Sequence, residues 1–138
     1  MTMSRILIID DDFDFRATCR LFLESAGFDV SDAADPEEGV RKVREEKPDL
    51  VILDVLMPSE YEGFEVARRI REELKMGDLP ILMLSGVHEI KETPYRFYPD
   101  KNYLPVDAFL DKLVPPEVLT RKVREMLGIH REAPEAPL

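Results

Sequence analysis

Leu50-Val51-Ile52-Leu53-Asp54 decides the fold, because four consecutive apolar residues run straight into a carboxylate. A strand with one wet face would alternate apolar and polar residues. An unbroken run is what a parallel strand needs when helices cover both its faces. Working outward, Ile6-Leu7-Ile8-Ile9 precedes Asp10-Asp11-Asp12, Ile81-Leu82-Met83-Leu84 precedes Ser85-Gly86, and a fifth segment reads Phe109-Leu110-Asp111-Lys112. The order is strand then helix, repeated: Ile6 to Asp10, Asp14 to Ser25, Phe28 to Ala33, Pro36 to Glu46, Leu50 to Asp54, then Gly63 to Lys75. This pattern predicts a three-layer α/β domain, a five-stranded parallel sheet between helices.

The helical segments carry single apolar stripes, as in Val66, Ala67, Ile70 and Leu74, or Leu119, Val123, Met126 and Leu127. Pro36 and Pro116 stand where helices should begin, and Gly27, Gly77 and Gly128 where they should stop. From Val87 to Val106, Pro94, Pro99 and Pro105 forbid an uninterrupted helix, so this region is expected to hold a short helix or an irregular loop. Tyr95, Phe97, Tyr98 and Tyr103 in it either cover the sheet or form a partner-binding patch. Arg131 to Leu138, rich in Pro, Ala and Glu, reads as a flexible tail or linker stub after a single domain over residues 1–130.

The 138 residues are 44% hydrophobic, enough for one packed core, and carry a formal net charge of -10. That charge argues against nucleic-acid binding, since phosphate backbones require clustered Lys and Arg. The lone Cys19 shares a helical face with Phe15, Phe22, Leu23 and Ala26, which makes it a core thiol. No long apolar run marks a signal peptide or membrane span, so a cytoplasmic protein without membrane partners is expected.

Side chains at the carboxyl ends of parallel strands converge on one crevice. Asp10, Asp11 and Asp54 could therefore form one hard-cation pocket able to bind Mg²⁺ and handle phosphate. Taken singly, each residue has an ordinary explanation: Asp10 to Asp12 as a helix-capping run, Asp54 and Ser85 as turn residues, Lys112 as a solvated lysine. His88 and His130 lack neighbouring ligands and read as local or solvated side chains.

Together, in order, Asp10-Asp11-Asp12, Asp54-Val55-Leu56-Met57-Pro58, Leu84-Ser85-Gly86 and Phe109-Leu110-Asp111-Lys112 resemble the receiver domain of two-component response regulators, the CheY-like group. The resemblance extends to about Leu127. It implies a doubly wound flavodoxin-like sheet of order 2-1-3-4-5, from which this chain departs by its longer, irregular and proline-broken fourth helix region. It also implies that Asp54 accepts the phosphoryl group, Asp11 binds Mg²⁺ directly, Asp10 acts through water, and the Leu56 carbonyl is a further ligand. Lys112 and Ser85 would contact the phosphoryl group, and Ser85 with Phe109 would form the switch pair. Implied partners are a histidine kinase or phosphotransfer protein, a downstream protein target, and a second copy in a homodimer. Such a domain catalyses only its own modification.

The chain departs from that family in three further places. Leu113 stands where a proline usually follows the lysine, and a cis bond there would cost roughly 3 kcal/mol against about 1 for proline. The loop Ser59 to Glu62 is one residue longer than usual. Leu56 and Val87, flanking the expected water path, are apolar, which implies slow loss of the phosphoryl group. Two other functions remain open at this stage: a receiver-like interaction module that works without phosphorylation, and a haloacid-dehalogenase-like phosphatase using an Asp-x-Asp within Asp10 to Asp14.

Overall fold

The structure, a computed structural model, describes residues 3–55, 62–85 and 106–128. Nine elements lie within them: β1 (Arg5–Ile9), α1 (Phe13–Ser25), β2 (Asp29–Ala33), α2 (Pro36–Glu46), β3 (Leu50–Asp54), α3 (Glu62–Glu72), β4 (Ile81–Ser85), β5 (Ala108–Asp111) and α4 (Pro116–Leu127). The strands form one parallel sheet in the order β2-β1-β3-β4-β5, as expected. Expectations for Leu56, Met57, Pro58, the Ser59 loop, Gly86, Val87, His88, the prolines and tyrosines up to Pro105, His130 and the tail lie outside the described residues.

The pleat divides the apolar strand residues between two layers. Leu7, Ile9, Val51, Leu53, Ile81 and Met83 face α2 and α3, where Val40, Val43, Phe64, Ala67 and Ile70 meet them. Ile6, Ile8, Leu50, Ile52, Leu82 and Leu84 face α1 and α4, meeting Cys19, Leu23, Leu119 and Val123. Strands β3 and β4 are buried at every position, which explains why their sequences do not alternate. Phe22 departs from the expected α1 core stripe, being 39% exposed at its edge.

Helix starts follow the sequence signals. Asp12 caps α1 by accepting from the Phe15 amide at 3.2 Å, and Asp35 caps α2 by accepting from the Glu38 amide at 2.9 Å. Pro36 and Pro116 sit in first turns. Helix stops are less regular. Gly128 caps α4 with φ 74° and Gly27 follows α1 with φ 100°, but Gly77 does not terminate α3. That helix ends three residues short of the predicted Lys75. There, Lys75 itself takes the left-handed conformation, φ 56°, and the Met76 amide donates to the Ile70 carbonyl at 3.1 Å. This six-residue closure satisfies the last carbonyls, so the penalty of a non-glycine cap is offset by bonding.

Candidate functional site

Register places the chemical groups level with one another. Ile9 pairs with Leu53 and Asp54 with Leu84, so Asp10, Asp54 and Ser85 emerge at the same edge of the sheet. Ser85 in turn pairs with Asp111, which brings Lys112 to that edge. Carboxylate oxygens of Asp10, Asp11 and Asp54 lie within 4.8 Å of one another. Asp10 and Asp54 are buried and Asp11 is exposed at the mouth. The capping explanation holds for Asp12 alone.

Lys112 Nζ reaches into this cluster, 2.9 Å from Asp10 Oδ2 and 3.4 Å from Asp54 Oδ2. The shorter contact is an ion pair without hydrogen-bond alignment, leaving Asp10 Oδ2 buried with no hydrogen-bond donor among the described residues. Asp10 Oδ1 accepts from the Asp12 amide at 2.8 Å. Burial pushes the Asp10 carboxyl above its ordinary 3.8, although the Asp12 amide and the Lys112 ammonium pull it down. Burial alone would lower Lys112, but the Asp10 and Asp54 carboxylates outweigh it and its pKa rises above 10.5. An all-oxygen donor set, high local negative charge and two buried carboxylates together fit a hard divalent cation such as Mg²⁺. Asp10, Asp11 and Asp54 are the residues that would hold it.

Ser85 Oγ is buried beside this cluster and has no hydrogen-bond partner among the described residues. Such a hydroxyl costs free energy unless a ligand atom completes it. Phe109, one strand over, is half-buried, its ring tilted 58° against Phe64 with centroids 6.2 Å apart. The turn after β5 is closed by the Leu113 amide donating to Asp111 Oδ1 at 2.8 Å, and Leu113 itself projects into solvent. Cys19 is buried, and desolvation, reinforced by the Asp10 charge, pushes its thiol up to about 12; it is the inert core residue expected.

Three contributors were not singled out from sequence as parts of the site. Arg16 donates to the Asp10 carbonyl at 2.8 Å and to Asp32 Oδ2 at 3.2 Å, tying the loop that carries the acids to β2. Phe15 places its ring face under Lys112, 4.8 Å from Nζ to centroid. Gly63 packs so closely on the end of β3 that a Cβ there would lie 2.7 Å from Val55 Cα and closer still to the Asp54 carbonyl oxygen. An arginine one turn into the helix after the acids was a readable signal. The Gly63 approach had none, because it depends on how the helix docks.

The decisive comparison is with known families: residues 6–124 match the response regulator receiver domain. The chain belongs to that family. It is similar to the transcriptional regulator RpaA of Synechocystis, 34% identical over 134 residues that make up 97% of this chain and 53% of RpaA. Among solved structures, it resembles chemotaxis response regulator CheY4 of Vibrio cholerae (29% identity, TM-score 0.77, 91% and 99% of the two chains). A CheY-like receiver domain protein from Methanospirillum hungatei is 26% identical with TM-score 0.75 over 92% and 95%. The chain spans about half the length of RpaA, and the 85 residues of it that match PhoP of Bacillus subtilis cover about a third of PhoP. Response regulator receivers serve phosphorelay signalling, which makes this chain a signalling domain. Membership sets aside the dehalogenase-like alternative. No helix among the described residues is long and apolar enough to cross a membrane.

Proposed function

We propose that Asp54 is the phosphoacceptor of this receiver and that phosphorylation switches a protein-interaction surface. The carrying observation is the convergence of three carboxylates within 4.8 Å at the sheet edge, with Lys112 Nζ 3.4 Å from Asp54 Oδ2. An Asp54 carboxylate oxygen bonds to phosphorus as the donor's P–N or P–O bond breaks, the leaving group keeping the electron pair. Asp10, Asp11 and Asp54 would hold Mg²⁺, which when bound would neutralise charge on the incoming phosphoryl oxygens. The carbonyl of Leu56 completes the proposed ligand set.

Lys112 exchanges its carboxylate contacts for a phosphoryl oxygen, and Ser85 Oγ, without a hydrogen-bond partner among the described residues, donates to another. That new bond draws on the β4 end next to Phe109, so Ser85 and Phe109 form the switch pair. Phe carries no hydroxyl and packs on Phe64 without an unmet polar group. The donor is a histidine kinase or histidine phosphotransfer protein, acting in the cytoplasm. The output is a protein contact, including a homodimer, with no nucleic acid bound by residues 1–130 themselves. Residues 131–138 act as a linker stub or tail. The domain turns over no other substrate.

The test is intact mass after incubation with Mg²⁺ and phosphoramidate or acetyl phosphate. Wild type should gain one phosphoryl group and Asp54→Ala none. A folded, Mg²⁺-binding wild type that gains nothing would leave the phosphorylation-independent module. Gain that survives the substitution would move the nucleophile to the first-strand aspartates.

A further inference from the structure

Lys112 needs an anchor that its own strand end does not supply. The next residue, Leu113, is 87% exposed and so lends little packing to the lysine stem, which is long and loses rotamer freedom when held. The Asp10 and Asp54 carboxylates hold the ammonium. They are also the groups a divalent cation would draw on, so their hold on Lys112 weakens when the ion and a phosphoryl group compete for them. The Phe15 ring, 4.8 Å from Nζ, remains in place. An aromatic face attracts the ammonium through its quadrupole without binding the metal, and it leaves N–H donors free for a phosphoryl oxygen.

From this geometry we infer that Phe15 is a positioning residue that keeps Lys112 over the Asp54 site when the carboxylates are occupied. The inference rests on Asp54 being the phosphoacceptor, and it makes the first turn of α1 part of the transfer machinery rather than core alone. Lys112 then changes oxygen partners by pivoting over the ring instead of leaving for solvent.

The experiment compares wild type, Phe15→Leu and Phe15→Tyr as the full chain. In metal-free protein, ring current should shift the Lys112 ε-methylene protons upfield in wild type and Phe15→Tyr, and the shift should vanish in Phe15→Leu. With Mg²⁺ and saturating phosphoramidate, the phosphorylation rate of Phe15→Leu should fall about 2- to 10-fold, with Phe15→Tyr within about twofold of wild type. Mg²⁺ affinity of Phe15→Leu should be no weaker, since a loosened ammonium competes less for the carboxylates. Absence of the upfield shift in wild type overturns the inference, as does a Phe15→Leu rate equal to wild type. Equal slowing of both variants with weakened Mg²⁺ binding also overturns it, because that marks general loosening. If wild type takes no phosphoryl group, the phosphoacceptor reading fails, and the ring-current shift alone decides whether Phe15 holds Lys112.

Discussion

Asp10 shows how the site is maintained against stability. Its carboxyl is buried, and burial raises its pKa above 3.8 even with the Lys112 ammonium 2.9 Å from Oδ2. A group whose folded pKa is raised contributes stability that is fully present below its unfolded pKa, here about 3.8, and lost as pH rises through the folded value. At neutral pH the Asp10 charge is therefore a cost in metal-free protein. Asp10→Asn keeps an Oδ1 acceptor for the Asp12 amide and removes the charge. In EDTA at pH 7 it should melt a few degrees above wild type, and the gap should close as pH falls towards 3.8. A variant that melts lower at pH 7 would show that the Lys112 ion pair outweighs the burial cost. Lys112 has the complementary profile: the stability it gains from Asp10 and Asp54 is present below 10.5 and lost above its raised folded pKa.

At the scale of elements, the strands were legible in the sequence because the apolar runs of β1, β3 and β4 are buried on both faces and carry their polar residues, Arg5, Asp54 and Ser85, only at the ends. Pro36 and Pro116 marked helix starts by fixed φ, a property of the residue itself. The end of α3 was not legible, since a lysine adopts the left-handed cap and Gly77 plays no such part. The same division applies to the site. Aspartates, Ser85 and Lys112 follow from strand ends, whereas the ring under Lys112 and the Arg16 bond to the Asp10 carbonyl are tertiary contacts that helical periodicity cannot specify. Arg71 shows this at the opposite edge of the sheet, where α3 is tied to the starts of β4 and β5. It donates to the Met76 and Leu79 carbonyls at 2.8 and 2.7 Å and to Asp107 Oδ2 at 2.8 Å. Asp107 Oδ2 also accepts from the Ile81 amide at 2.8 Å. Arg71→Met removes the side-chain donor these acceptors share, so urea denaturation should show a loss of about 1 to 3 kcal/mol, with Mg²⁺ affinity unchanged. A coupled loss of Mg²⁺ binding would show that the two edges of the sheet communicate.

Across the whole molecule, two apolar layers hold the sheet while its carboxyl edge gathers like charges in a chain of net charge -10. Core burial must exceed that local repulsion for the metal-free domain to fold at all. A cation that binds the folded cluster and not the unfolded chain then adds stability by mass action, about 2.7 kcal/mol at a hundred times its dissociation constant. For a domain of this size that corresponds to a rise in Tm of roughly 10 °C. Added salt alone cannot imitate it, because screening acts weakly on buried groups such as Asp10 and Asp54. Calorimetric melts in saturating Mg²⁺, against the same ionic strength of NaCl, should therefore separate site binding from screening. Wild type should gain the larger shift only with Mg²⁺, and Asp11→Asn, at the exposed mouth of the cluster, should lose most of that gain while melting normally in NaCl. Equal shifts in both salts would mean that the three carboxylates are screened as surface charge and do not form a metal site.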